Sequence, residues 1–183
     1  MATLSTTAWV LHDLGLAAGF GGNLFGQLAL NPAVETIESK QQRTQVTHAA
    51  WDRYKVVNAV SLAAMAGTWL IGRLVLSGRE VGRHARGVTL LKDGLVIGAF
   101  ASGVGALVTG TMLDAARRAN EPIESGHTPA PETRPRVAKL QRVVNLVGIA
   151  NIVLEASVLA ATTVLAMKSG KSRRWSFVSR LLP

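Results

Sequence analysis

The sequence predicts an all-α fold, an integral membrane four-helix bundle, and three observations lead there. Of 183 residues, 48% are hydrophobic and the mean hydropathy is +0.26. Only 17% are charged, where a soluble domain carries roughly a quarter. The apolar residues gather in four stretches, about 9–30, 56–76, 89–113 and 143–167. Each is long enough for a helix to cross the hydrocarbon layer, which takes about 20 residues at roughly 1.5 Å per residue. Too few apolar residues remain outside these stretches to build a separate soluble core, so residues 1–183 read as one membrane domain.

The first stretch is expected to be a retained span and not a cleaved leader. Residues 1–8 carry no Lys or Arg, and His12 and Asp13 interrupt the apolar run that follows. Asn31-Pro32 closes the span, and both residues suit a helix start, Asn as cap and Pro at the first position. Neither Gly nor Pro occurs from Ala33 to Ala66. A helix is therefore expected to begin near Pro32 and run into the second span, with Trp51 and Tyr54 marking its entry into lipid. A short basic link at 79–86 precedes the third span. Residues 119–136 hold Pro122, Pro129, Pro131 and Pro135 among charges of both signs, which predicts a mobile surface loop. The tail 171–183 is basic with interspersed Trp and Leu, and is expected to lie on the membrane surface.

A faint repeat joins the two halves. Leu11-His12-Asp13 with Gly15 and Gly19 matches Leu91-Lys92-Asp93 with Gly94 and Gly98. Lys55-Val56-Val57-Asn58 matches Arg142-Val143-Val144-Asn145. Two tandem two-helix hairpins of common orientation account for this order. Chance matching of abundant Gly, Val and Ala is the plainer account.

Glu155 is the most informative single residue, because it falls at the middle of the fourth span. A charge at a helix centre costs about 2.5–3.5 kcal/mol on insertion scales. It must therefore face the bundle, a cavity or a partner. Asn151 lies one turn earlier on the same face. Antiparallel threading puts Asn23, Gln27, Asn58 and Asn145 in one leaflet, on the side away from the termini. The six residues are expected to form an intramembrane polar pocket with Glu155 at its floor, serving either as a substrate or proton site or as interhelical glue. Near the termini, Arg73 is placed to pair with Asp13 or Asp93. Gly15 and Gly19, Gly22 and Gly26, and Gly94 and Gly98 are each four apart, a spacing that lets helix backbones approach. They make the first and third spans the expected close pair, or else a surface for another protein's helix.

No catalytic residue, metal set or cofactor is predicted. Cysteine is absent, which removes thiolate chemistry and disulfides. The histidines lack the paired, facing depth of a haem site, and no phosphate loop or nucleophile motif occurs. The net charge of +9 sits beside span ends, where it meets anionic headgroups. It lacks the interleaved aromatics that nucleic-acid binding uses, so nucleic acid is not an expected partner. The expected partners are the bilayer and other membrane subunits or a second copy. The reading favoured is a non-catalytic membrane subunit or scaffold that packs through glycine-rich helix faces in a larger complex. The alternative is a small transporter or membrane-embedded enzyme built on the Glu155 pocket. The expected location is a bacterial plasma membrane. Basic residues divide almost evenly between the two sides, and the dense 79–86 and 171–183 segments favour cytoplasmic termini.

Overall fold

A computed structural model describes residues 2–76, 86–116 and 121–169. The basic link up to residue 85 and the basic tail lie outside the described residues. Most of the described chain is helical: α1 (Ala2–Phe25), a short α2 (Asn31–Ala33), α3 (Lys40–Ile71), α4 (Arg86–Ala116) and α5 (Pro135–Ser169). Three of these, α3, α4 and α5, are long and apolar enough to cross a membrane. α1 is not among them, because His12, Asp13 and Asn23 dilute its apolar run.

α1 packs chiefly on α3, and α4 chiefly on α5. The pairs then meet along α3 against α4 and α1 against α5. Each long helix contributes to one apolar centre: Leu16 from α1, Leu62 and Met65 from α3, Val96 and Ala99 from α4, and Val158 from α5. This centre fills the half of the bundle nearer the chain termini. The half nearer the connecting loops is lined by amides instead.

The first and third spans are not the close pair expected from their glycines. Gly15, Gly22 and Gly26 of the first helix serve its neighbour in the hairpin. A Cβ on Gly15 would stand 2.8 Å from the Ala64 Cβ and 2.9 Å from the Ser61 carbonyl oxygen, both on α3. One on Gly22 would enter the Tyr54 ring, and one on Gly26 the Trp51 ring. Gly19 faces α5, where its Cβ would meet Glu155 Oε1 at 2.8 Å. On α4, Gly98 rests against Leu154 of α5, while Gly94 is exposed with nothing near it.

The helix into the second span does not begin near Pro32. The first helix instead runs on through a π-helical turn, Gly26–Leu30, and through α2. Proline has no N–H for the ladder, and the preceding residue, Asn31, bonds back five residues to Gly26. The chain then extends at Ile37 (φ −79°, ψ 125°), and Ser39 caps α3 by accepting from the Gln42 N–H. Asn31 is buried and does not act as a cap; its side chain is used inside the bundle.

Residues 121–134, where the sequence suggests a mobile loop, are folded across the end of the helices. Ile123, Ser125 and Ala130 are buried, and Ile123 and Pro129 form an isolated bridge. Arg43 donates to the Glu124 carbonyl at 2.7 Å, and Thr44 to the Glu121 carbonyl at 2.7 Å. Lys40 pairs with Glu124 at 2.9 Å, and Arg134 with Glu121 at 3.0 Å. The prolines and charges that looked like signs of disorder hold turns and docking contacts.

Candidate functional site

The polar residues of the core form two linked layers. The deeper is sealed. Glu155 and Asn151 are each 1% exposed. The Asn23 amide donates to Asn151 Oδ1 at 3.0 Å and to Glu155 Oε2 at 3.3 Å. The Asn151 amide donates to the Ala99 carbonyl at 2.8 Å and to Ser102 Oγ at 3.0 Å. One amide–carboxyl cluster therefore ties α1, α4 and α5 together.

The upper layer surrounds a cavity of about 130 Å³ between the two hairpins. Asn23, Gln27, Asn58 and Asn145 all line it. Gln27 donates to Asn145 Oδ1 at 2.9 Å and accepts from Asn31 at 3.3 Å and from His127 of the loop. Trp51 Nε1 donates to Asn31 Oδ1 at 3.1 Å. Of the six residues grouped from the sequence, four line the cavity. Glu155 and Asn151 do not; they lie behind Asn23, so Glu155 is not an open floor.

Sequence reasoning missed Asn31, Thr47 and Gln141 in this lining. Asn31 was legible, since Asn23, Gln27 and Asn31 are spaced by four and share one helical face. Thr47 and Gln141 carried no such signal. At the rim, His48, Asp52 and Asp114 place ligand atoms within 4.8 Å of one another, from two separate helices. The Lys55 ammonium already bonds both Asp52, at 2.7 Å, and Asp114, and so supplies the positive charge that these carboxylates need.

Near the termini, Arg73 pairs with Asp93 at 3.0 Å, and Trp69 Nε1 donates to the same carboxylate at 2.8 Å. Asp13 is exposed. His12 and Lys92 both turn inward. Lys92 is fully buried, its Nζ 4.7 Å from the Trp9 ring centroid and 4.2 Å from that of Trp69. His12 Nδ1 donates to the Met65 carbonyl at 2.8 Å. A lysine so near a span end would ordinarily reach for the headgroups; here two indole faces hold it inside.

In the loop, burial pushes His127 below its ordinary 6.5, opposed by the nearby Glu35 charge. The Lys40 ammonium, with help from Arg43, holds the Glu124 carboxyl below its usual range. No known protein family, curated protein or solved structure matches the chain.

Proposed function

We propose that the chain is a four-span membrane protein in which α1 crosses together with α3, α4 and α5, and that it works as a non-catalytic subunit within a larger membrane assembly. The observation that carries the reading is on the outer face of α4. Gly87, Gly94 and Ala101 are each seven residues apart, all are exposed, and the two glycines have nothing within 4 Å of a Cβ. Small residues at helical repeat spacing let another helix approach closely in lipid, where packing and not hydrophobicity drives association. Gly15, Gly19, Gly22 and Gly26 are used inside the chain, and Gly21 is the open glycine of α1, so the repeated open small residues of α4 are the better partner surface. The sealed position of Glu155 supports the non-catalytic part: a carboxyl bonded to the Asn23 amide and closed off from the cavity is placed to hold helices, not to meet a substrate. The expected location is a plasma membrane with both termini on its cytoplasmic side, against anionic headgroups.

Gly94→Leu tests this. A Cβ at this position meets nothing within 4 Å and the position is exposed, so the variant should keep wild-type thermal stability. In mild detergent the wild type should run as an assembly larger than one chain, and the variant should run smaller. A wild type that is a single chain, or a variant that assembles as well as wild type, would sink the proposal.

A further inference from the structure

The outward face of α5 changes character along its length. Arg136, Lys139 and Arg142 are exposed near its start. Leu146, Ile149 and Val153 follow, 68%, 46% and 59% exposed. From Lys139 to Val153 the steps alternate between three and four residues, so all of these lie on one helical face. Arg136 flanks them one turn earlier. From Arg142 to Val153 the helix rises roughly 16 Å, about one leaflet of a hydrocarbon core roughly 30 Å thick. α5 is long and apolar enough to cross such a core. The face therefore carries a cluster of cations at headgroup level and an apolar track beneath them.

The cations have no counter-charge of their own. None of the three has a hydrogen bond or ion pair among the described residues. No Asp or Glu occurs on α5 before Glu155. The acids of the adjoining loop are already engaged: Glu132 by Lys40 at 3.7 Å, Glu124 by Lys40 at 2.9 Å and Glu121 by Arg134 at 3.0 Å. Arg136 also stands in the first turn of the helix, at the positive end of its dipole, where an acid would be favoured. The loop end of α3 differs. There Arg53 and Lys55 are balanced by Asp52 and by Asp114 of α4.

We propose that this face of α5 binds one anionic phospholipid. Arg136, Lys139 and Arg142 hold its phosphate, and an acyl chain lies along Leu146, Ile149 and Val153. Guanidinium groups suit phosphate because their N–H donors match its oxygens. A free phosphate would leave the apolar track unused, and a zwitterionic headgroup would bring a cation of its own to the cluster. The site lies on α5, so it stands whether or not the α4 face binds a partner.

The test uses the full chain in mild detergent, titrated with phosphatidylglycerol. Bound lipid is counted by native mass spectrometry, and thermal stability is followed in parallel. One phosphatidylglycerol should bind saturably and raise the melting temperature, while phosphatidylcholine and inorganic phosphate should do neither. A cation near the lipid surface is worth on the order of fivefold in affinity, so Lys139→Gln should weaken binding by about that factor. Changing Arg136, Lys139 and Arg142 together to Gln should abolish the saturable step. These side chains are exposed, so both variants should melt like wild type without lipid. Arg53→Gln removes the same charge from an exposed site on α3 and should leave binding unchanged. Four results would overturn the proposal: no binding to wild type, equal binding of phosphatidylcholine, equal protection by inorganic phosphate, or equal loss in Arg53→Gln and Lys139→Gln. The last would mean that the lipid answers only to net charge.

Discussion

Asn151 shows what a single buried amide does in this protein. It accepts from Asn23 and donates to the Ala99 carbonyl and to Ser102, so three contacts from two neighbouring helices end on one side chain. Interhelical hydrogen bonds in membranes are worth about 0.6 kcal/mol each. Asn151→Leu should therefore cost roughly 2 kcal/mol in reversible unfolding, and a change below about 0.5 kcal/mol would show that the cluster is not glue. Glu155→Gln keeps an acceptor for Asn23 and should be nearly neutral in the same measurement. His127 offers a second test at this scale. Its pKa is lowered by burial, so the released loop binds a proton more readily than the docked one. The docking energy from this residue is complete above the ordinary value of 6.5 and is lost as pH falls below it. Protection of the amides in residues 121–134, relative to their intrinsic exchange rate, should thus fall between pH 7.5 and pH 5, and His127→Gln should remove that part of the dependence. The depth of Asn23, Gln27, Asn58 and Asn145 was legible, because period and threading place them together. The burial of Lys92 was not. It depends on Trp9 and Trp69 closing around the ammonium from two other helices, and no local pattern records that.

At the scale of elements, glycine spacing told that close contacts exist but not with which neighbour. Gly15 and Gly94 look alike in sequence, both small, both followed by glycine four residues on. One lies against the α3 backbone and the other faces outward. Gly15→Ala should cost about 1–3 kcal/mol, because the Ser61 carbonyl and Ala64 Cβ cannot yield without shifting a helix. Gly94→Ala should change stability little. Comparing the two by unfolding in detergent separates internal packing from an external face, and equal costs would contradict the assignment. The long gap without Gly or Pro after Pro32 misled in a similar way. Absence of breakers permits a helix but does not require one, and the Arg43 guanidinium holds the Ile37 carbonyl at 2.7 Å in the extended break. The loop at 121–134 is packed for the converse reason. Its composition is that of an exposed connection, yet Arg43, Thr44 and Gln141, distant in sequence, give its carbonyls their partners.

For the whole molecule, the central claim is that two hairpins cross the membrane together. The pairing of α1 with α3 and of α4 with α5 fits the order of the repeat, and the shared apolar centre needs all four helices. α1 alone lacks the apolar length of a span. Its polar residues are matched from other helices, Asn23 by Asn151 and Glu155, and His12 by Met65, which lowers the cost of placing it in lipid. The chain has no cysteine, so single introduced cysteines report topology without background. Ser5→Cys, Glu38→Cys and Glu132→Cys, labelled in sealed vesicles by a thiol reagent that cannot cross the membrane, make the most direct measurement. The account predicts that the second and third label from one side and the first from the other. Labelling of all three from the same side would mean that α1 does not cross, and the four-span bundle would be wrong.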